Sequence, residues 1–102
     1  MTRGEIWLAE VGRKRRPVLI LTRPEVIDVR ELVTVAEVTT SIRGIGPEVA
    51  FDYAQAGLHQ PSVINCDGLH TITRGSLTTY AGSVSEETMK LVCEAVSYSV
   101  GC

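Results

Sequence analysis

The stretch Arg16-Pro17-Val18-Leu19-Ile20-Leu21-Thr22 places four consecutive large aliphatic residues directly behind a proline. So short an apolar run predicts a strand over residues 17–22 that is covered on both faces. A proline at the first residue of a strand removes no hydrogen bond from the ladder, and it restricts the residue before it to extended backbone. Arg16 is therefore expected at the end of a rigid strand rather than on a loop, either as a ligand contact, which is common at strand ends, or as an ordinary surface charge.

Six other short segments have the composition of strands and are separated by glycine, proline and polar residues. They cover residues 5–11, 31–39, 48–53, 62–66, 69–73 and 77–82. Behind them, Ser83 or Ser85 can cap a helix of about four turns that Gly101 ends. Its apolar residues recur on one face that packs on the sheet or on a partner: Met89, Val92, Cys93, Val96 and Val100. For Val92, Val96 and Val100, core and dimer contacts are both open, and the core is preferred. The pattern predicts a mainly β fold, a small closed or nearly closed barrel with a C-terminal α-helix.

Length and composition limit the class of protein. With 102 residues, 44% of them hydrophobic and 22% charged, the chain fits one globular domain over residues 1–102. Its longest strongly apolar run, residues 18–21, is far below the ~20 residues that span a bilayer, and no signal-peptide segment follows Met1. Cys66, Cys93 and Cys102 are too widely spaced for a disulfide framework or a metal knuckle, so we expect buried or terminal thiols. These features predict a cytoplasmic protein without a membrane partner.

The charge is unevenly distributed along the chain. The net charge is −2, but residues 1–50 hold eight Lys/Arg against seven Asp/Glu, whereas residues 51–102 hold two against five. Arg13, Lys14, Arg15 and Arg16 form an unbroken basic run. A local positive patch of this kind can hold phosphate groups although the total charge is negative. Judged on charge alone, a solvated basic turn is the preferred interpretation.

Common catalytic motifs are absent from the sequence. It has no phosphate-binding P-loop, no H-E-x-x-H pair, no G-x-S-x-G elbow and no dinucleotide fingerprint, and residues 44–46 are interpreted as a turn into a strand. His59 is expected in a loop and His70 in a strand, and both are interpreted as surface or structural residues. One Phe, one Trp and three Tyr make no dense platform for base stacking.

Four segments follow one another in the order and register of one protein family and cover nearly the whole chain. They are Arg3-Gly4-Glu5-Ile6-Trp7, Arg16-Pro17-Val18-Leu19-Ile20, Val35-Ala36-Glu37-Val38-Thr39-Thr40, and Pro61-Ser62-Val63-Ile64-Asn65 leading to Leu69-His70-Thr71-Ile72. Each segment is weak alone, but together they resemble the MazF/PemK (Kid) toxin family. The resemblance implies an SH3-like barrel of the CcdB/MazF type, assembled as a homodimer.

The same resemblance implies a function. Members of that family are toxins of type II toxin–antitoxin systems. They are sequence-specific endoribonucleases (mRNA interferases) that use no metal or cofactor and leave 2′,3′-cyclic phosphate and 5′-hydroxyl ends. The expected partners are single-stranded RNA (mRNA, tRNA or rRNA) and a MazE-like antitoxin. The antitoxin is expected to cover the basic residues 13–16 with an acidic, otherwise disordered segment. The family's catalytic arginine falls on Arg16, and its catalytic threonine or serine falls on Thr39.

These two residue types suit that chemistry. Attack by the RNA 2′-OH on the adjacent phosphorus builds negative charge on the phosphoryl oxygens. A guanidinium can bind two of these oxygens at once, and a hydroxyl can donate a further hydrogen bond. Arg16 is therefore assigned as principal stabiliser and acid, with Thr39 assisting. Arginine is a poor base because it stays charged, so the group that takes the 2′-OH proton stays open.

The segment before the Arg-Pro pair departs from many family members, in which it is a longer loop. Here only residues 12–15 separate Val11 from Arg16, which leaves the target sequence of the RNA open. Phosphate contacts position RNA, whereas polar groups in a groove read its bases. The first role is assigned to Arg13, Lys14 and Arg15, and the second to Thr40, Ser41, Asn65 and Asp67.

Two alternatives keep the fold and change the function. A CcdB-like poison would bind DNA gyrase without cutting RNA, and its helix would end in residues that engage the gyrase, often a tryptophan. The only tryptophan here is Trp7, near the other end of the chain. The second alternative is a catalytically silent module that binds only protein partners, and the presence of both Arg16 and Thr39 counts against it.

Overall fold

The computed structural model describes residues 1–11 and 13–101 of the chain. Within these residues, strands fill most of the first eighty positions and a helix follows them. The elements are β1 (Glu5–Val11), β2 (Lys14–Ile20), α1 (Pro24–Ile27), β3 (Leu32–Thr39), β4 (Glu48–Ala50), β5 (Val63–Thr73), a 3-10 turn (Arg74–Ser76), β6 (Leu77–Ser83) and α2 (Glu86–Ser99). The strands form one antiparallel sheet in the order β4-β5-β3-β2-β1-β6. The predicted mainly β fold with a C-terminal helix is confirmed.

Several predicted boundaries are wrong. The segments 62–66 and 69–73 belong to one continuous strand, β5, and the strand expected over 48–53 ends at Ala50. The sequence analysis missed α1, since a helix of four residues is too short to show a helical period. Of the basic run, only Arg13 lies in a turn, because β2 begins at Lys14 and pairs with β1 from Val11↔Lys14 onward.

Pro17 lies inside β2 rather than at its first residue. It pairs with Leu8 of β1, but the pairs between β2 and β3 run only from Ile20↔Val35 to Val18↔Glu37. Pro17 therefore lies one residue beyond the β2–β3 ladder, where a missing amide hydrogen is tolerated as on an edge strand. Beyond Val18 and Glu37, the two central strands no longer pair, and this opening defines where the candidate site lies.

Both faces of the sheet are buried at its centre. A first cluster lies beneath α2 and includes Leu19, Ile64 and Val92, all fully buried. A second cluster on the opposite face includes Val18, Ile20 and Val35. Because successive residues of β2 contribute to opposite clusters, the prediction of a strand covered on both faces is confirmed.

The helix α2 begins as expected and buries part of the predicted stripe. The Ser85 side chain accepts a hydrogen bond from the Thr88 amide at 3.1 Å, so Ser85 rather than Ser83 is the N-cap. Val92 is fully buried, whereas Val100 is 59% exposed and was wrongly preferred as a core residue. Gly101 has a positive φ of 80°, which ends the helix.

The cysteines agree only in part with the expectation. Cys66 is buried in the first cluster, but Cys93 is exposed on α2, where its sulfur accepts a hydrogen bond from Arg3 Nη2 at 2.6 Å. The helix turns that position away from the sheet, which the spacing of apolar residues did not resolve. Cys102 lies outside the described residues. In the part of the chain that the structure describes, no helix is long and apolar enough to cross a membrane.

Candidate active site

A cleft of about 150 Å³ opens on the face of the second cluster, where β2 leaves β3. Three neighbouring strands each contribute one chemically active side chain to it: Arg16 from β2, Glu37 from β3 and His70 from β5. Their common face follows from the register, since Val18 pairs with Glu37 and Val35 pairs with His70. The floor is apolar and the remaining wall is cationic; these residues are Val18, Val35, Ile72 and Lys14.

The Glu37 carboxylate bridges the two other side chains. Its Oε1 lies 3.9 Å from Nη1 of Arg16, and its Oε2 lies 3.6 Å from Nε2 of His70. These are ion-pair separations, slightly longer than hydrogen bonds, and such contacts in unliganded sites often tighten when substrate binds. Glu37 is 32% exposed, less than Arg16 at 52% or His70 at 44%. The carboxylate is thus the deeper anchor, and the two nitrogen-bearing groups reach toward solvent.

A break in β5 makes room for this carboxylate. The pairing with β3 jumps from Ala36↔Leu69 to Glu37↔Asn65, so that residues 66–68 are extra on β5. Such a bulge bends a strand and redirects its side chains. At Gly68 a side chain would collide with Glu37 Oε2, and Asn65 Nδ2 would lie 3.1 Å from its Cβ. The missing side chain of Gly68 is therefore what allows Glu37 to lie against β5.

Thr39 lies at the end of β3, as predicted, and is half-buried. The last pair between β2 and β3 is Val18↔Glu37. Arg16 lies two residues beyond it on β2, and Thr39 lies two residues beyond it on β3. The two residues therefore stand on opposite sides of the opening between the strands. The Thr39 hydroxyl accepts a hydrogen bond from the Ser41 amide at 3.1 Å, so it still has its own hydrogen to donate. Thr39 does not line the cleft itself.

The structure divides the basic run between the two faces of β2. Lys14 lines the cleft together with Arg16, whereas Arg15 lies on the other face, with its Nη2 at 3.9 Å from Glu10 Oε1. Arg13 is exposed in the turn before β2. Strand alternation thus brings only part of the run to the site. The phosphate-binding role of each residue stays a prediction.

The four residues assigned to base reading are separated in a similar way. Asn65 pairs with Glu37 across the strands and is half-buried, and its Oδ1 accepts a hydrogen bond from the Asp67 amide at 3.1 Å. Asp67 is exposed on the bulge of β5, and Thr40 and Ser41 are exposed just after β3. Asn65 is therefore close to the cleft. The roles of all four residues stay predictions.

The sequence analysis missed Glu37 altogether and interpreted His70 as a surface or structural residue. Glu37 is the single charged side chain in the apolar strand β3, and it lies on the same face of the strand as Val35 because the two are two residues apart. A charged residue on an otherwise apolar face was a usable signal of a functional group. His70 gave no such signal, because its neighbourhood depends on how β5 pairs with β3. Only the register of the sheet brings these residues together.

The other titratable groups bear on two further kinds of chemistry, metal binding and attack by a thiol. Among residues 1–11 and 13–101, no group of three or more His, Cys, Asp or Glu side chains is placed to hold a metal ion. Burial, with a smaller contribution from the nearby Asp67, raises the pKa of the Cys66 thiol to about 11. That thiol is protonated at neutral pH, and it lies in the core rather than in the cleft.

The fold and the cleft define a class: a small mainly β protein that presents a guanidinium, a carboxylate and an imidazole on one exposed face. Residues 2–100 match the family described as PemK-like, MazF-like toxin of type II toxin-antitoxin system. The chain belongs to this family. This confirms the resemblance inferred from the four sequence segments.

Individual relatives agree with the family. The chain is 32% identical over 103 residues to the probable endoribonuclease MazF5 of Mycobacterium tuberculosis, covering 98% of this chain and 93% of that protein. Its structure is similar to that of the Mycobacterium tuberculosis toxin MazF-mt6, with a TM-score of 0.88, 38% identity, and coverage of 95% and 96%. It is also similar to an endoribonuclease in complex with its cognate antitoxin from a mycobacterial species, with a TM-score of 0.88, 25% identity, and coverage of 99% and 95%. These findings support the predicted class of RNA-cleaving toxin, and none of them supports the gyrase poison.

Proposed function

We propose that this chain is the RNA-cleaving toxin of a type II toxin–antitoxin system. It cuts single-stranded RNA at specific sequences by attack of a 2′-OH on the adjacent phosphorus, without a metal ion or cofactor. The products are a 2′,3′-cyclic phosphate and a 5′-hydroxyl. Family membership supports the activity, and DNA is excluded as a substrate for this route because it has no 2′-OH.

The observation that carries the proposal is the exposed guanidinium of Arg16 in a cleft beside a second cation, Lys14. As the 2′-oxygen attacks, the phosphoryl oxygens gain charge, and a guanidinium held by a neighbouring carboxylate can bind two of them without reorganising. Arg16 is also the proton donor for the departing 5′-oxygen. Thr39 supports the same phosphate through its hydroxyl from across the opening between β2 and β3.

The cleft also suits the partners expected of a toxin. A phosphate chain can run from Arg13 and Lys14 to Arg16, and polar groups at Thr40, Ser41, Asn65 and Asp67 lie beside its bases. An antitoxin that carries an acidic segment would neutralise the same cations and exclude RNA by competition. We propose that the toxin acts in the cytoplasm as a homodimer.

Cleavage of a long single-stranded RNA tests the function. Purified protein is incubated with the RNA in the presence of EDTA, and the ends are mapped and tested for cyclic phosphate. We expect cleavage to persist in EDTA and to fall by ~10²–10³ in the Arg16→Ala variant, the usual cost of losing one preorganised donor. Arg23→Ala is the matched control, because Arg23 is an exposed arginine that does not line the cleft.

The outcome also separates the alternatives. Intact RNA together with inhibited supercoiling by DNA gyrase would favour the poison. Intact RNA with no effect on gyrase would favour a silent binding module. Cleavage that stops in EDTA would contradict the metal-independent route.

A further inference from the structure

The proposed cleavage needs a group that removes the 2′-OH proton, and neither assigned residue can supply it. Arg16 is a cation with no free lone pair, and the hydroxyl of Thr39 is far too weak a base at neutral pH. An effective general base must lie in the cleft and present a free lone pair to the 2′-OH. His70, whose neutral imidazole has one such lone pair, lines the cleft.

We propose that His70 is the general base of the reaction and that Glu37 is the positioning residue that orients both His70 and Arg16. This proposal rests on the proposed RNA cleavage. The Glu37 carboxylate contacts Nε2 of His70 through one oxygen and Nη1 of Arg16 through the other. One side chain thereby fixes the distance between the base and the phosphate-binding guanidinium.

The contact with Glu37 also selects the form of the imidazole. A carboxylate oxygen favours a hydrogen on the nitrogen that faces it, so neutral His70 carries its hydrogen on Nε2. The lone pair is then on Nδ1, the nitrogen that Glu37 does not occupy. When Nδ1 takes a proton, the nearby carboxylate stabilises the resulting imidazolium, which is the arrangement of a base oriented by a third group.

The charged groups that face His70 are limited in number. Glu37 faces it from β3, and Lys14 and Arg16 face it from β2 across the cleft. Of these three groups, Glu37 has its carboxylate oxygen at ion-pair distance from the imidazole, 3.6 Å from Nε2. Once an RNA phosphate is bound, its charge offsets that of the two cations.

Other candidate bases fit less well. His59 is exposed in the connection between β4 and β5 and does not line the cleft. The Cys66 thiol is buried among apolar residues of the first cluster. Glu37 is the least exposed of the three side chains, and each of its carboxylate oxygens faces one of the two others at ion-pair distance rather than the open cleft.

The step balances with these residues alone. The 2′-O–H bond breaks and its proton moves to Nδ1 of His70, while the 2′-oxygen forms a bond to phosphorus. The bond between phosphorus and the 5′-oxygen breaks, and that oxygen takes a proton from Arg16, which recovers one from water. His70 returns its proton to solvent before the next turnover. The products are a cyclic phosphate and a 5′-hydroxyl, with no change of oxidation state.

The test compares kcat, KM and the pH–rate profile of four proteins on a short single-stranded RNA that contains one cleavage site. The variants are His70→Ala, Glu37→Gln and, as a matched control, His59→Ala. We expect His70→Ala to lower kcat by ~10²–10⁴ with little change in KM, because general base catalysis contributes about this much. The acidic limb of the profile, present in the wild type, should disappear in this variant. Added imidazole should restore part of its rate.

Glu37→Gln should lower kcat less than His70→Ala does and leave KM nearly unchanged, because the amide keeps the shape of the carboxylate but carries no charge to orient the imidazole and the guanidinium. His59→Ala should match the wild type. A His70→Ala protein that keeps the wild-type kcat and profile would overturn the proposal. So would a slow His70→Ala protein with an intact acidic limb and no response to imidazole, since that pattern indicates a structural role. A fifth protein, His70→Gln, together with circular dichroism of every variant, separates loss of a base from loss of folding.

Failure of the underlying function gives a different result. If the wild type cuts no RNA, the proposed endoribonuclease activity is wrong, and the assignment of His70 as its general base is wrong as well. If the wild type cuts RNA and Arg16→Ala does not, but His70→Ala is unimpaired, only the base assignment falls. The two failures are therefore distinguishable in one set of measurements.

Discussion

The carboxylate of Glu37 lies against Gly68, in the space that a side chain at position 68 would fill. Glu37 belongs to β3 and Gly68 to the bulge of β5, so the contact depends on the three extra residues that the bulge inserts beside β3. A flexible carboxylate can move away at little cost to the fold. Its departure would, however, release both Arg16 and His70.

The first prediction concerns this contact. Gly68→Ala should push Glu37 aside and lower kcat by roughly 10–100-fold, because small displacements of catalytic groups are costly. The free energy of unfolding should change by less than about 1 kcal/mol, since the displaced atom ends a flexible, partly exposed side chain. Gly75→Ala is the control, because a side chain there meets nothing within 4 Å. Unchanged kcat in Gly68→Ala would show that the position of Glu37 is unimportant.

The hydroxyl of Thr39 gives the second prediction. Thr39→Val keeps the shape but removes the donor, and we expect kcat on RNA to fall by up to ~10²-fold. Thr39→Ser keeps the hydroxyl and should retain most of the activity. Because Thr39 also accepts a hydrogen bond from the Ser41 amide, the valine variant should lose about 1 kcal/mol of stability. Equal kcat for the two variants would remove Thr39 from the catalytic site.

Lys14 provides the third prediction, which concerns RNA affinity rather than chemistry. A phosphate contact releases counterions, so Lys14→Ala should weaken binding and reduce the slope of log K against log salt by about 0.7. Binding is measured with an uncleavable RNA that carries 2′-deoxy substitutions, at several salt concentrations. Lys90→Ala on α2 is the control, because Lys90 is exposed and does not line the cleft. An unchanged salt slope in Lys14→Ala would place the RNA elsewhere.

The buried thiol of Cys66 gives the fourth prediction, on stability against pH. Burial raises the pKa of Cys66 from 9.0 to about 11, so the folded state keeps this proton at pH values where the unfolded state loses it. The thiol therefore contributes stability that is fully present below pH 9 and is lost as pH rises toward 11. Urea denaturation across this range should show a steeper loss for the wild type than for Cys66→Ala. Parallel curves would contradict the assignment of this loss to Cys66.

Thiol labelling provides a second measurement on the same residue. At mildly alkaline pH a thiol reagent should modify Cys93, which is exposed, and should leave Cys66 unmodified in the folded protein. Unfolding should expose Cys66 to the reagent. Rapid labelling of Cys66 in the native protein would mean that the first cluster opens readily at this point.

Local patterns in the sequence were sufficient for most strands, for the C-terminal helix and for naming Arg16 as a candidate, but not for α1 or for the continuity of β5. The apolar run behind Pro17 determined a doubly buried strand, since its residues alternate between two clusters whatever their partners are. The helical period and a serine cap determined α2. Arg16 could be singled out because the change from charged to apolar residues is itself a local feature, whereas its catalytic role came from the family resemblance and stays a prediction.

The tertiary structure alone decided what surrounds Arg16. Glu37 and His70 are far apart in the chain and meet because β3 and β5 pair with Val35 opposite His70. Strand pairing and its register are set by hydrogen bonds and packing between distant segments, and a slip of one residue would turn every side chain to the other face. No single strand carries that information. Arg16 could thus be singled out from local sequence, whereas the presence of Glu37 and His70 beside it follows only from the pairing of the strands.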